Sequence, residues 1–297
     1  MHRKAWAFIL AIINNFIADR AMTRGAAIAY YTTFSLAPIL LLVIAVAGLV
    51  FGEEAVRGAI LGELGGLMGT EGAKALEDLV QSASDTGSGI AATTVSVILL
   101  VIAATTVLAE LQDALNVIWN APPQNISGWW SLIRARLLSL ALIGAIAFLL
   151  LASLAVSAAV TAFGKYFAGA EGSALLEVLN FVVSFLVLTG LFALVYKILP
   201  DRRLAWRDVG VGAAVTAALF SIGKFLIGFY LGTTDLASSY GAAGALILVL
   251  VWVYYSAQIF LLGAEFTKVY ALGPQRSEEL AEEPPSTKHP SRPAREG

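Results

Sequence analysis

The sequence contains no cysteine and only two histidines among its 297 residues. The lack of cysteine excludes disulfides, zinc thiolate sites and cysteine nucleophiles. The two histidines, His2 and His289, lie near the ends of the chain, outside every apolar segment. Charged residues make up only 13% of the chain, against about 25% in an ordinary soluble domain. The net charge of −2 gives no basic excess, so we do not expect nucleic acid as a partner.

Apolar residues are correspondingly abundant. Hydrophobic residues make up 58% of the chain and the mean hydropathy is +0.79. A bilayer solvates that much apolar surface, and a helix of about 20 apolar residues crosses it with its backbone hydrogen bonds satisfied internally. The sequence therefore predicts an all-α, polytopic membrane helical bundle with six transmembrane helices. The six stretches are about 26–50, 90–109, 137–163, 178–199, 209–231 and 243–270.

The distribution of basic residues predicts the orientation of these spans. With the N-terminus in the cytoplasm, fifteen of the 19 lysines and arginines fall on the cytoplasmic side. The outside connections then hold only Arg57, Lys74 and Lys165, and Lys224 lies within a span. Cytoplasmic connections of membrane proteins carry the excess of basic residues. We therefore expect the N and C termini to be cytoplasmic.

The chain divides into three predicted parts. Residues 1–24 are expected to form an N-terminal interfacial amphipathic helix, not a cleaved signal, because no small-residue cleavage site follows the apolar run. Residues 25–272 form the six-helix transmembrane domain, with an outside loop at about 51–89. Residues 273–297 carry most of the prolines and many charges, which predicts a disordered cytoplasmic tail. The apolar residues of the first part that recur at helical spacing are Trp6, Ile9, Leu10, Ile13, Phe16 and Ile17.

Lys224 is the most informative polar residue within the spans. Small residues precede and follow it at helical spacing, and this face is expected to pack against protein or to line a cavity. A lysine in the membrane costs at least about 2.5–3.5 kcal/mol on insertion scales, so it needs a partner or water. A functional role and a structural ion pair are both open for Lys224. The small residues are Gly210, Ala213, Ala214, Ala217, Ser221 and Gly228.

Polar residues also interrupt the other spans. Gln258 and Glu265 share one stripe of the sixth predicted helix with Tyr254 and Leu261. In the first span, Pro38 follows Tyr31 and Ser35 and is expected to interrupt the helix. The polar segment 233–241, which contains Tyr240, either closes the outer side of a cavity or is a plain reverse loop. The candidate substrate-binding residues are Lys224, Ser221, Tyr31, Ser35, Tyr240, Gln258 and Glu265.

No motif for catalysis, metal binding or cofactor binding has support. The string Asp85-Thr86-Gly87-Ser88 copies that of aspartic proteases, but their chemistry needs two carboxylates on paired β-loops, and the string occurs once. No Walker A, H-E-x-x-H or G-x-S-x-G string occurs. We therefore expect no catalytic residue, no metal site and no cofactor.

An ordered set of short motifs runs through the chain: Ala26–Tyr31, Ser35–Pro38, Tyr196–Pro200, Trp206, Gly212-Ala213, Ser239–Gly241, Trp252 and Gly263–Glu265. This set resembles the YihY/BrkB family over about residues 15–271. The resemblance implies a bacterial inner-membrane protein with six spans, from a family whose members have been linked to serum resistance and to export of lipid precursors. The family also carries an old label, ribonuclease BN. This sequence gives that label no support, since it has neither a histidine–aspartate metal cluster nor a basic groove.

Three functions are compatible with these features. The first is a transporter or flippase of an amphipathic, anionic, lipid-like substrate, because an intramembrane cation lies on a small-residue face. The second is a non-transporting membrane scaffold for envelope assembly. The third is a membrane-embedded enzyme acting on a lipid head group, with Glu110, Asp113 or Glu265 as acid or base. Membrane lipids are expected partners, and the sequence does not fix the oligomeric state.

Overall fold

The computed structural model describes residues 2–62, 77, 81, 90–121, 141–142, 144–146, 149, 173–233 and 242–282. Within these residues the secondary structure is α-helical and contains no strand, which confirms the predicted all-α class. The connections between described helices are short turns where they are seen, as at 19–20 and 199–205. The main helices are α1 (His2–Ala18), α2 (Ala21–Phe51), α3 (Ile90–Ile118), α4 (Ser173–Ile198), α5 (Trp206–Thr233), α6 (Ala242–Leu272) and α7 (Pro274–Glu282).

Three described helices are long and apolar enough to cross a membrane: Val178–Ile198, Trp206–Tyr230 and Leu246–Leu272. The segments Lys4–Ala18 and Ala21–Leu36, bent by 59° at their joint, add a fourth if they count as one broken span. The protein is therefore a helical membrane protein with three to four candidate spans in its described part. The third predicted span, 137–163, lies almost entirely outside the described residues. The count of six spans and the cytoplasmic termini stay predictions.

Helix α6 is the central element of the described fold. It packs along α5 on one side and along α2 on the other, while α4 packs on α5 and α3 packs on α2. The core between α4, α5 and α6 is aromatic, with the rings of Tyr196 and Phe260 5.1 Å apart. The Tyr196 hydroxyl donates a 2.6 Å hydrogen bond to the Phe260 carbonyl oxygen. This bond satisfies the polar end of the tyrosine side chain inside the core. Both long faces of α6 are thus in contact with other helices.

Two glycines set how closely α5 and α6 approach each other. A Cβ atom added at Gly263 would lie 2.0 Å from Thr216 Oγ1 and 2.7 Å from the Tyr196 hydroxyl. A Cβ atom added at Gly212 would lie 1.8 Å from Thr267 Oγ1. No real side chain fits at such distances, so glycine at both positions is what allows the helix backbones to meet.

The joint between α1 and α2 falls at Asp19 and Arg20, four residues before the predicted domain boundary at 24. Arg20 adopts the left-handed conformation, with φ 52° and ψ 42°, which ends α1 and turns the chain into α2. Helix α2 is continuous from Ala21 to Phe51, so the expected interruption at Pro38 does not occur. A proline removes only one backbone donor, and membrane helices tolerate this loss where neighbouring groups compensate for it.

Helix α1 lies against α6 and α7 and leaves one apolar face uncovered. Ala11 and Ile12 are buried against Val269 of α6. On the other side Trp6, Ile13 and Ile17 remain largely exposed. An exposed apolar stripe on a helix of this kind fits a lipid surface. The interfacial position of α1 stays a prediction.

The start of the predicted disordered tail is helical. Helix α7 covers Pro274–Glu282 and packs on α1. Asn14 Nδ2 donates a 3.0 Å hydrogen bond to Glu278 Oε1, and Asn120 Nδ2 donates to the Leu280 carbonyl oxygen. These contacts hold a polar segment whose composition alone predicts disorder, so the structure differs from the prediction over these nine residues. Residues 283–297 lie outside the described residues.

Candidate functional site

An ion pair is buried where the α1–α2 joint meets the end of α6. Lys268 Nζ lies 3.2 Å from Asp19 Oδ2, and the two side chains are only 1% and 6% exposed. Arg24 Nε donates a 3.1 Å hydrogen bond to the Asp19 backbone oxygen and so supports the joint from α2. Charges this deeply buried are expensive unless they are paired, which is why the Lys268–Asp19 contact matters for folding.

A second carboxylate, Glu265, lies beside this pair. It stands three residues before Lys268 on α6, so the two side chains share one face of the helix. Glu265 is 0% exposed, and Lys268 and Asp19 are the charged groups that act on it. Neither of its carboxylate oxygens accepts a hydrogen bond from any residue in the described part of the chain. A fully buried carboxylate in this state is rare, because unsatisfied buried polar groups carry a large cost.

Asn15 completes the arrangement. It precedes Asp19 by four residues on α1, on the face that carries Ala11 and Ile12 toward α6. It is 1% exposed, and its side-chain nitrogen and oxygen have no hydrogen-bond partner within the described ranges. Asn15, Asp19, Glu265 and Lys268 are called the buried polar cluster below. Two of its members, Asn15 and Asp19, come from α1 and the joint that follows it, and the other two, Glu265 and Lys268, come from α6. Asp19 and Lys268 are 249 residues apart in the sequence.

Gln258 lies two helical turns before Glu265, farther along the contact between α6 and α2. Its Nε2 is 3.5 Å from the Met22 carbonyl oxygen, and its Oε1 is buried with no partner in the described residues. A Cβ atom added at Gly25 would lie 2.0 Å from Gln258 Nε2, so α2 comes close to this side chain. Of the seven predicted substrate-binding residues, Gln258 thus lies at the contact of α6 with α2, and Glu265 lies beside Asp19 at the α1–α2 joint.

Lys224 and Ser221 lie elsewhere, on α5, and both are partly exposed. On the small-residue face, Ala213 and Ala217 are buried, whereas Gly228 is exposed. Lys224 Nζ lies 5.3 Å from the centre of the Phe225 ring. Over the described residues, the only carboxylate within ion-pair distance of a lysine is Asp19, which pairs with Lys268.

The surface of α5 around Lys224 is strongly apolar. Four large side chains next to it on the sequence are between 60% and 73% exposed in the described structure. A partly exposed ammonium group therefore lies at the margin of an uncovered apolar surface. The four residues are Ile222, Phe225, Leu226 and Phe229.

The remaining predicted site residues do not join either group. Tyr31 is exposed, and Ser35 is buried with its hydroxyl donating to the Tyr31 carbonyl oxygen. This bond within one helix gives Ser35 a structural role in α2. Tyr240 and most of the segment 233–241 lie outside the described residues.

The acidic residues at the end of α3 form a separate polar region beyond the predicted span 90–109. Burial, helped by the nearby Asp113 carboxylate, raises the pKa of Glu110, and the Arg24 guanidinium opposes this shift. Burial likewise raises the pKa of Asp113, with Arg24 opposing it. Asn116 Nδ2 donates a 2.8 Å hydrogen bond to Asp201 Oδ2, which fastens the chain after α4 to α3. These carboxylates thus interact with Arg24 and with each other, whereas Glu265 interacts with Asp19 and Lys268.

Sequence reasoning missed Asn15, Asp19 and Lys268 as members of a site. Lys268 is one of the fifteen basic residues on the predicted cytoplasmic side, and that prediction assigns it no partner. One local signal was available, because Glu265 and Lys268 are oppositely charged and three residues apart in an otherwise apolar helix. The proximity of Asp19 depends on the bend between α1 and α2, which has no marker in the local sequence.

The chain matches the family model described as virulence factor BrkB over residues 12–289. It is 29% identical over 277 residues to a UPF0761 membrane protein of Alkalilimnicola ehrlichii, covering 91% of this chain and 59% of the relative. A UPF0761 membrane protein of Tolumonas auensis is 29% identical over 179 residues, covering 59% of this chain and 56% of the relative. One from Vibrio parahaemolyticus is 30% identical over 295 residues, with 92% and 85% coverage. The chain thus spans less than two thirds of the length of several relatives, and no solved structure matches it.

Proposed function

The chain belongs to the virulence factor BrkB family of membrane proteins, and from this premise we propose that it is a carrier or flippase of an anionic, lipid-like amphiphile. We place it in the bacterial inner (plasma) membrane, with six spans and both termini in the cytoplasm. In this proposal the substrate crosses the membrane without chemical change, so the proposed activity is transport and not catalysis. The excess of basic residues on one side supports the orientation, and the 31 and 29 residues of α2 and α3 are long enough for further spans.

The observation that carries the proposal is the position of Lys224. Its ammonium group has no carboxylate partner among the described residues, and large apolar side chains near it in the sequence of α5 are uncovered. An anionic head group is the natural counter-ion for such a cation, and the acyl chains of the same molecule suit the neighbouring apolar surface. One amphiphile satisfies both features at once, whereas a small soluble anion satisfies only the first.

The close packing of α5 on α6 holds Lys224 beside the contact between these two helices. Gly223, the residue before Lys224, faces Ile259 and Tyr255 of α6, and a Cβ atom there would lie 2.4 Å from Ile259 Cδ1. Glycine at this position therefore lets α5 approach α6 closely next to Lys224.

Mass spectrometry of the lipids that stay bound in native lipid discs tests the proposal. We expect an anionic amphiphile to be enriched over bulk lipid in the wild type and lost in Lys224→Met. Lys224→Arg keeps the positive charge and should retain the enrichment. Lys4→Met removes an exposed lysine at the start of α1 and serves as the matched control. Equal lipid profiles in all four proteins, each monodisperse, would remove the carrier proposal in favour of a scaffold.

A further inference from the structure

We propose that the buried polar cluster binds one proton on the carboxyl group of Glu265, beside the Lys268–Asp19 pair, and that release and uptake of this proton drive substrate movement. The binding of the proton stands on the cluster alone. Its use in transport rests on the proposed carrier function. One O–H bond forms on a carboxylate with a proton taken from water, and the same bond breaks when the proton returns to water.

Carboxylates outnumber cations in the buried polar cluster. Asp19 and Glu265 carry two negative charges when ionised, and Lys268 carries one positive charge. The Lys268–Asp19 pair is almost fully covered and Glu265 is 0% exposed, so little water screens the remaining negative charge. Two carboxylates that share a dry site do not both stay ionised readily, and one proton makes this cluster neutral.

The buried polar cluster also contains hydrogen-bonding groups that are unsatisfied in the described structure. Both oxygens of Glu265 and both amide atoms of Asn15 lack partners among the residues that the structure describes. A proton on one carboxyl group turns it into a donor, so that it bonds to the other carboxylate. Asn15 precedes Asp19 by four residues, and an amide donates hydrogen bonds through its nitrogen and accepts them through its oxygen. Protonation therefore satisfies groups that the ionised cluster leaves unpaired.

The choice of a proton over a metal cation follows from Lys268. Its ammonium group lies 3.2 Å from Asp19 Oδ2 and thus occupies the position that a bound sodium ion would need beside that carboxylate. A proton needs no coordination shell, because it forms a covalent bond to oxygen. The described residues also contain no group of three or more carboxylates, histidines or cysteines arranged to hold a metal ion.

The surrounding helices leave few other charged groups to consider. On α2, Arg24 bonds to the Asp19 backbone oxygen and directs its charge toward Glu110 and Asp113 of α3. On α7, Glu278 accepts a hydrogen bond from Asn14, and Arg276 is exposed. From α5, the neutral Gly212 faces Thr267 of α6.

Infrared difference spectroscopy of the protein in lipid tests proton binding directly. We expect the carbonyl band of a protonated carboxylic acid that disappears as the pH is raised, with an isotope shift when glutamate or aspartate side chains carry ¹³C. Glu265→Gln should remove this band, and Glu279→Gln on the exposed face of α7 should retain it. The isotope-labelled wild type answers the question even if Glu265→Gln fails to fold. No pH-dependent band in the labelled wild type would overturn the proposal, and a band displaced by sodium at constant pH would replace the proton with sodium.

A transport measurement separates this proposal from the carrier function. In proteoliposomes loaded with an anionic phospholipid analogue, one pH unit across the membrane should change its distribution about tenfold if one proton is coupled to each substrate. Glu265→Gln should abolish that response. Lipid movement that ignores the pH gradient would contradict coupling and leave the carrier intact. An absence of lipid movement together with the infrared band would contradict the carrier and leave proton binding intact.

Discussion

The stability of the α1–α2 joint depends on single side chains in the buried polar cluster. Lys268 is the cation that offsets two carboxylates, whereas Asp19 is one of two anions beside it. Removing one member of a buried ion pair typically costs about 3–5 kcal/mol, because the other charge stays buried without a partner. The two members of this pair should therefore differ in how much their loss destabilises the protein.

We expect Lys268→Met to lower the thermal unfolding midpoint in detergent more than Asp19→Asn does. Lys268→Met leaves two buried carboxylates together, while Asp19→Asn leaves Lys268 with Glu265 as its remaining partner. Arg276→Met, at an exposed cation on α7, is the control and should leave the midpoint unchanged. A larger loss from Asp19→Asn than from Lys268→Met would show that Glu265 does not act on Lys268 as described.

The sequence pattern predicted two polar residues of α6, Gln258 and Glu265, as site residues, for a physical reason. Gln258 and Glu265 are conspicuous because polar side chains are expensive in an apolar helix, so their presence indicates a partner or a function. The partner on α1 was not predictable from the same pattern. Asp19 and Lys268 are 249 residues apart, and only the three-dimensional path of the chain brings them together.

At the scale of helices, the contact between α5 and α6 depends on glycine at positions without room for a side chain. We expect Gly263→Ala to destabilise the protein by about 1–3 kcal/mol, because the added methyl group overlaps Thr216 and the Tyr196 hydroxyl. Gly228→Ala is the matched control on α5, since nothing in the described structure lies within 4 Å of its added Cβ atom. It should be neutral, or more stable by up to about 1 kcal/mol through helix propensity. Equal thermal midpoints for the two variants would contradict this close contact.

The joint between α1 and α2 offers a second test at this scale. Arg20 holds a left-handed conformation that costs a non-glycine residue about 1–2 kcal/mol. Arg20→Gly and Arg20→Val both remove the charge, but only glycine adopts this conformation without strain. We expect the valine variant to unfold at a lower temperature than the glycine variant. Indistinguishable midpoints would mean that the chain does not pass through this conformation at the joint.

Helix positions were more predictable than helix ends. The long apolar stretches that become α4, α5 and α6 follow directly from the need to satisfy backbone groups in lipid. The end of α1 was not predictable, because a left-handed arginine has no sequence marker comparable to glycine. Helix α7 was not predictable either, since its polar composition indicates disorder while its contacts with Asn14 and Asn120 stabilise it.

For the whole molecule, labelling of single introduced cysteines tests the proposed topology. The chain has no cysteine, so single cysteines report on one position each. We expect a membrane-impermeant maleimide applied to the outside of spheroplasts to label Ser82→Cys in the predicted outside loop. Ser127→Cys and Ser291→Cys should be labelled only after the membrane is permeabilised. Labelling of all three positions without permeabilisation, in cells with intact membranes, would contradict six spans with cytoplasmic termini.

In the carrier proposal, a single cation, Lys224 of α5, contributes to the movement of an amphiphile across the whole bilayer. The most direct test measures the movement of fluorescent anionic and zwitterionic phospholipids between leaflets of proteoliposomes. We predict that the wild type moves the anionic lipid and that Lys224→Met slows this movement by about 10–100-fold, as expected for loss of a hydrogen bond to a charged group. Lys224→Arg should keep the activity, and Lys4→Met should match the wild type. Equal rates in empty liposomes, the wild type and Lys224→Met would contradict the account.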